Sequence, residues 1–180
     1  DNYVLTVDAN GEAGWEAGGA TDINGLSDGV TNSSGQTVGL GTGALANDNG
    51  STNNNTALGY NALNDASSAN ESVAVGNSAL LNATTGSINT AVGRQSLTNL
   101  TSGSNNTGTG TYSGYGNSTG SHNTGLGYGA LNNNQTGSSN VGVGSLALSL
   151  GGTAISNSTA VGTEALRIAT GQNNTALGYQ

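Results

Sequence analysis

The sequence predicts an all-β protein, a parallel β-roll or β-helix solenoid of about nine coils with about 17 residues in each. Three observations predict it: a glycine recurs at a near-constant interval, an apolar residue precedes it, and a leucine follows four residues later. These anchor glycines are Gly41, Gly59, Gly76, Gly93, Gly110, Gly127, Gly144, Gly162 and Gly178. The interval between them varies by no more than about one residue on either side of this period. Such regularity is typical of coils that stack on one another.

A short strand is expected before each anchor glycine. The residue three positions before the glycine is always Thr or Val, and the residue directly before it is Leu or Val except for Thr109. Such residues favour strands, and alternation places both on one face, which we expect to be the coil interior. The glycine is expected to bend the chain so that the following leucine returns to that interior. A second turn is marked by Gly86, Gly103, Gly120, Gly137 and Gly171.

The residue between those two strand positions is always small. These nine residues are Gly39, Ala57, Ala74, Ala91, Gly108, Gly125, Gly142, Ala160 and Ala176. Alternation points them out of the coil, where only close packing against another surface requires a small side chain. We therefore expect them to form a subunit interface with the same strand of another copy. The alternative is that Ala and Gly are merely common in this chain.

Composition and charge exclude several classes of function. Gly, Asn, Thr and Ser fill 103 of 180 positions, and Cys, Met, Phe and Pro are absent. The chain therefore has no disulfide scaffold, and no apolar run reaches the roughly 18 residues of a membrane span. The formal net charge is −8 with only 2 basic residues. So few cations argue against nucleic-acid binding and against anionic membranes.

Few residues could carry chemistry. His122 is the single histidine, and no acid lies near it in sequence. We therefore expect no enzyme, no metal site and no cofactor. Glu12 and Glu16 could pair like glycosidase carboxylates, but they lie in a predicted hairpin. Eleven Asn-x-Ser/Thr triplets, Asn54 and Asn105 among them, are better explained by stacked Asn and Thr ladders than by glycosylation.

One copy of the repeat departs from the pattern. In residues 107–114 the apolar strand residue becomes Thr109 and the returning leucine becomes Gly114. Exposed tyrosines among Asn and Ser can stack on sugar rings and bond to their hydroxyls. The alternative is a weak coil filled by aromatic side chains. The candidate receptor or glycan contact consists of Tyr112, Tyr115, His122 and Tyr128.

The repeats resemble those of two groups of fibres. Asn55-Thr56-Ala57-Leu58-Gly59 and Ser72-Val73-Ala74-Val75-Gly76 are similar to the Asn-Ser-Val-Ala-Ile-Gly head repeats of trimeric autotransporter adhesins. The segment NTALGYQ at 174–180 is nearly identical to Asn-Thr-Ala-Val-Gly-Tyr-Gln-Ala-Leu repeats of bacteriophage tail fibres and related bacterial surface proteins. The resemblance covers residues 36–180, and it implies a left-handed β-roll wound as a homotrimer. The period is longer than that of the adhesin head, so the coil shape can differ.

The chain divides into a connector, residues 1–35, and a solenoid segment of a longer fibre, residues 36–180. The connector is expected to contain a β-hairpin over 3–18, because two short strands flank Asn10-Gly11, a strong turn pair. It is similar to connectors upstream of such repeats in phage-type fibres. That resemblance implies a self-cleaving trimerisation chaperone downstream.

These observations predict a non-enzymatic, extracellular fibre segment, on a virion as part of a tail fibre or on a bacterial cell surface. Its expected partners are two further copies of itself and a cell-surface glycan or protein receptor. One alternative is the head of a bacterial trimeric adhesin that binds glycan or matrix. A further alternative is a flat solenoid that binds ice or another repeating lattice. It is less favoured because the Thr positions are predicted to face inward, away from such a lattice.

Overall fold

The computed structural model describes residues 3–7, 13–17, 29–32, 36–49, 53–149 and 154–180, which contain twelve β-strands. Within these ranges there is no helical segment with the length and hydropathy of a membrane span. The strands are β1 (Tyr3–Val7), β2 (Ala13–Ala17), β3 (Gly29–Asn32), β4 (Thr37–Leu40), β5 (Thr56–Leu58), β6 (Val73–Val75), β7 (Thr90–Val92), β8 (Thr107–Thr109), β9 (Thr124–Leu126), β10 (Val141–Val143), β11 (Thr159–Val161) and β12 (Thr175–Leu177).

The described strands form two sheets. Strands β1 and β2 form the predicted antiparallel pair, with Val7 opposite Ala13, and the turn pair Asn10-Gly11 lies outside the described residues. The other ten strands form one sheet in chain order, in which β3 runs antiparallel to β4. Strands β4 to β12 are parallel, one strand to each repeat. The parallel β-solenoid and its predicted period are therefore confirmed.

The anchor glycines bend each coil as predicted. Their φ angles lie between 123° and 131°, a region that side chains with a Cβ rarely adopt. The glycines of successive coils also stack closely: a Cβ on Gly93 would lie 2.7 Å from the carbonyl carbon of Gly110. Beyond this bend the leucine returns to the interior, and Leu63 and Leu80 are fully buried. The leucines adopt left-handed φ angles near 50°, a strained conformation that their burial offsets.

The strand orientation is opposite to the predicted one. The small residue in the middle of each strand faces the coil interior, and the flanking Thr, Val and Leu residues face outward. The predicted subunit interface is therefore wrong. Gly39, Ala57, Ala74, Ala91, Gly108, Gly125, Gly142 and Ala160 are buried inside the coil, and Ala176 in the last strand is partly buried.

The small residues are required because the opposite wall of the coil is close. A Cβ on Gly108 would lie 2.5 Å from Oγ of Ser96. A Cβ on Gly125 would lie at the same distance from Oγ of Ser113. Each serine hydroxyl donates a hydrogen bond of 2.9 Å to the carbonyl oxygen of the glycine that it faces. The space that a methyl group would need is thus filled from within the same chain.

A column of polar side chains runs through the interior and links the coils. Oδ1 of Asn106 accepts a hydrogen bond of 3.0 Å from the backbone N–H of Asn123, one coil later. Nδ2 of Asn106 donates to the carbonyl oxygen of Gly120 at 2.9 Å. This asparagine column consists of Asn55, Ser72, Asn89, Asn106, Asn123, Asn140, Ser158 and Asn174. The structure therefore contains an Asn ladder, but not at the triplets for which it is predicted: the column is formed by the residues next to Asn54 and Asn105, which are themselves exposed.

The glycines of the second turn also stack closely on one another from coil to coil. A Cβ on Gly103 would collide with the carbonyl oxygen of Gly120, so the backbones of adjacent coils touch there. Gly171 belongs to the same set but lies in the last coil of this chain, so a Cβ there would meet only Nδ2 of Asn174, at 4.0 Å. Beside these glycines, serine hydroxyls accept backbone hydrogen bonds between coils, for example Ser104 N–H to Ser121 Oγ at 3.0 Å.

We predict that Asn106→Ala destabilises the solenoid by about 1–3 kcal/mol, because the buried N–H of Asn123 loses its acceptor. The carbonyl of Gly120 loses one of its two side-chain donors and keeps Nδ2 of Asn117. Asn106→Ser should cost less, since Ser72 and Ser158 serve as acceptors in the same column. Asn133→Ala, at an exposed asparagine, is the control and should change the free energy of unfolding by less than about 0.5 kcal/mol. Chemical denaturation at equal chain concentration measures all three. Equal costs at Asn106 and Asn133 would contradict the prediction.

We also predict that Gly103→Ala destabilises the fold by about 1–3 kcal/mol or more, because the added methyl group collides with the next coil. The matched control is Gly171→Ala, which adds the same methyl group in open space. Gly171→Ala should be neutral or stabilise by a few tenths of a kcal/mol, because it restricts the unfolded chain. Thermal unfolding of the two variants against the wild type distinguishes stacking from a general cost of losing glycine.

Candidate functional site

The outward residues of the parallel strands form a regular feature of the surface. Eighteen residues in two rows, all Val, Leu or Thr, make up this outer strand face. Leu58 and Leu126 are each 47% exposed, and Val92 is 38% exposed. The face consists of Val38, Leu40, Thr56, Leu58, Val73, Val75, Thr90, Val92, Thr107, Thr109, Thr124, Leu126, Val141, Val143, Thr159, Val161, Thr175 and Leu177. Eleven of the eighteen are Val or Leu and seven are Thr, so the strip is uncharged and mainly apolar, as is typical of an interaction surface.

Three of the four predicted contact residues come together in the coils that follow Gly110 and Gly127. The ring of Tyr112 lies perpendicular to that of Tyr115, with centroids 5.6 Å apart and an interplanar angle of 83°. Tyr112 and Tyr128 form a second perpendicular pair, with centroids 6.1 Å apart. Tyr128 is 55% exposed. The three rings therefore form one aromatic group that solvent can reach.

Arg94 completes this group. Its guanidinium carbon lies 5.4 Å from the centroid of the Tyr112 ring, and its Nη1 donates a hydrogen bond of 2.8 Å to the Tyr112 hydroxyl oxygen. A hydrogen bond and a cation–π contact to the same residue hold the guanidinium in one place. We call Arg94, Tyr112, Tyr115 and Tyr128 the tyrosine–arginine cluster.

The sequence reasoning missed Arg94, although the repeat contained the signal. Arg94 directly follows its anchor glycine, as Tyr128 does two coils later. It also lies 18 residues before Tyr112, one period plus one residue. In a parallel solenoid that spacing brings side chains into neighbouring coils at adjacent positions.

His122 does not join the cluster. It lies before β9 while Tyr128 lies after it, so the strand separates the two side chains. Its backbone N–H donates to the carbonyl oxygen of Ser104 at 3.0 Å, and its side chain is exposed. Among the described residues it makes neither a ring contact nor a hydrogen bond with the tyrosines. The predicted contact is therefore reduced to the three tyrosines, with Arg94 added.

The cluster offers binding groups rather than acid–base chemistry. It contains aromatic faces, hydroxyl groups and one guanidinium, and no carboxylate. Where the structure describes side chains, no three His, Cys, Asp or Glu residues converge to hold a metal ion. Glu12 lies outside the described residues, so its pairing with Glu16 stays a hypothesis.

Comparisons with known proteins return no match, whether with family profiles, curated proteins or solved structures. Function is therefore inferred from the geometry of the solenoid and from the resemblance of its repeats.

Proposed function

We propose that this chain is a structural and adhesive segment of an extracellular fibre, most readily a phage tail fibre, that self-associates as a homotrimer. The head of a bacterial surface adhesin is the closest alternative and would use the same rod. One observation carries the proposal: the outer strand face exposes two continuous rows of Val, Leu and Thr. In this proposal the subunits meet through the outer strand face, and not through the small residues, which lie inside the coil.

The chemistry of the outer strand face favours a second copy as its occupant. The face has no formal charge over nine strands, so a charged partner gains nothing there. Its rows repeat at the strand spacing of about 4.8 Å, and a partner with the same repeat matches them coil for coil. The identical face of another chain meets both conditions. The number of three subunits comes from the resemblance of the repeats to trimeric fibres.

The proposed mechanism is mechanical. Nine coils at about 4.8 Å give a rod of roughly 40 Å, in which each coil is hydrogen-bonded to both of its neighbours. The asparagine column holds the coils together from within. Association of three such rods buries the apolar face and stiffens the assembly, so that a binding surface is held away from the particle or cell.

We predict a solution mass three times the chain mass of 17.4 kDa, measured by light scattering coupled to size exclusion. The double variant Leu58→Glu, Leu126→Glu should shift the protein toward the monomer, because it places charges in the apolar interface. Ile88→Glu is the control: Ile88 is 52% exposed but lies outside the outer strand face. Glu71 already occupies the corresponding position of another coil, so this change suits the fold.

A wild-type monomer at micromolar chain concentration would overturn the proposed assembly. So would a trimer that the double variant leaves intact, since the interface would then lie elsewhere. Far-UV circular dichroism of each variant separates dissociation from unfolding.

The structure gives one observation in favour of the lattice-binding alternative. The Thr residues of the parallel strands, predicted to face inward, point outward; Thr56, Thr107 and Thr124 are exposed. Residues two apart along a strand and one strand apart across it form a flat grid of about 7 Å by about 4.8 Å. The second row of the grid, however, is Leu or Val except for Thr109, which favours burial against another subunit.

The two functions need the same face, so they exclude each other on this surface. If the outer strand face is buried in a trimer, we expect no thermal hysteresis beyond that of an unrelated globular protein at equal mass concentration. Hysteresis shown by a monomer, and lost in Thr56→Ala and Thr124→Ala, would favour lattice binding instead. Nanolitre osmometry makes the measurement.

A further inference from the structure

The tyrosine–arginine cluster carries a charge that the fold does not use. Between Glu71 and Glu164 no formally charged residue other than Arg94 occurs in the sequence. Arg167, the second of the two basic residues, is bound to Glu164 at 3.0 Å. Arg94 makes no ion pair among the described residues, and its recorded side-chain partner is the neutral hydroxyl of Tyr112. A fixed guanidinium without a carboxylate is available to an anion from outside.

The geometry of the rings suits a saccharide. Tyr112 meets Tyr115 at 83° and Tyr128 at 86°, so the faces form corners rather than one flat stack. A sugar ring can lay its C–H face on one tyrosine and place its edge hydroxyls beside another. The Tyr112 oxygen accepts from Arg94, which leaves its own proton free to donate to a ligand.

The guanidinium favours a ligand that also carries an anionic group. Arg presents five N–H donors in a planar fork that matches the two oxygens of a carboxylate. One N–H of Arg94 is engaged by Tyr112, and the residue is exposed. A neutral sugar would use the rings alone, whereas a sugar that carries a carboxylate would use both the rings and the remaining donors.

We propose that the tyrosine–arginine cluster binds acidic carbohydrate, a saccharide with a carboxylate such as a uronic or sialic acid. The inference rests on the proposed adhesive fibre, of which this cluster is the receptor contact. The cluster is compatible with the trimer, because Arg94, Tyr112, Tyr115 and Tyr128 all follow an anchor glycine and lie beyond the bend that ends the outer strand face.

The test uses two pairs of probes that differ in the acidic sugar: 3′-sialyllactose with lactose, and hyaluronan hexasaccharide with chitohexaose. Isothermal titration of the wild-type chain should show tighter binding, by about tenfold, of the acidic member of at least one pair. Arg94→Gln should abolish this preference and leave the affinity for the neutral member within about twofold. Tyr128→Ala should weaken both members by about tenfold, because it removes the ring.

Two matched controls lie elsewhere on the same solenoid. Tyr60 directly follows its anchor glycine and is 55% exposed, as Tyr128 is, but no second ring contacts it among the described residues. Tyr60→Ala should leave binding within about twofold. Arg167→Gln removes the other cation, which is already paired with Glu164, and should also leave the affinity for the probes unchanged.

The proposal is overturned if the wild type binds none of the four probes at millimolar concentration or prefers neither acidic member. It is equally overturned if Tyr60→Ala weakens binding as much as Tyr128→Ala does. Light scattering on the same samples tests the proposed trimer separately from the proposed binding of acidic carbohydrate. A trimer that ignores acidic sugar contradicts this inference alone, and a monomer that binds it through Arg94 contradicts the assembly alone.

Discussion

The solenoid depends above all on hydrogen bonds that pass from coil to coil inside the chain. A single coil is too thin for a conventional core, so buried backbone groups at its turns have no helix or second sheet to pair with. The asparagine column supplies that pairing: from Asn55 to Asn140, the amide oxygens accept from the next coil and the amide nitrogens bind a carbonyl of the following turn. Ser72 and Ser158 supply an acceptor at the same place in their coils. Because an unsatisfied buried group is costly, these side chains must recur at every period.

The same thinness decides which residues face inward. The wall opposite each strand lies so near that a methyl group is the largest side chain that fits, and where Ser96 and Ser113 add a hydroxyl, the facing residue becomes glycine. The larger β-branched and apolar residues must then point outward. An apolar exterior is consequently a direct result of the narrow interior, and it creates the surface through which copies can associate. In the proposed trimer, the same constraint would set both the architecture and the assembly.

The repeat period, the strands, the bends at the anchor glycines and the buried leucines could all be predicted from the sequence, because each depends on local spacing and backbone conformation. The side of the sheet that faces inward could not, since Val, Leu and Ala are all compatible with either side. A second small position, three residues after the anchor glycine and always Ala or Ser, was the available signal for a narrow interior. Arg94 was missed for another reason: the signal lies in the spacing between two repeats, one period plus one residue from Arg94 to Tyr112, and no feature within a single repeat marks it.

The polar column also explains how one coil can depart from the repeat without breaking the rod. The apolar interior is divided into two clusters, which end at Leu100 and begin again at Leu131, and the coil with Gly114 lies between them. In that coil Oδ1 of Asn117 accepts from the N–H of Gly120 at 2.8 Å, and its Nδ2 donates to the carbonyl oxygen of Gly120 at 3.1 Å. Asn134 makes the same pair with Gly137 one coil later. Since Asn106 and Asn123 continue the column through this gap, stacking survives the loss of leucine. The tyrosine–arginine cluster lies on the outside of these coils. A fold stabilised by a continuous polar column can thus give up its apolar packing at one level, and the surface there is free to serve recognition.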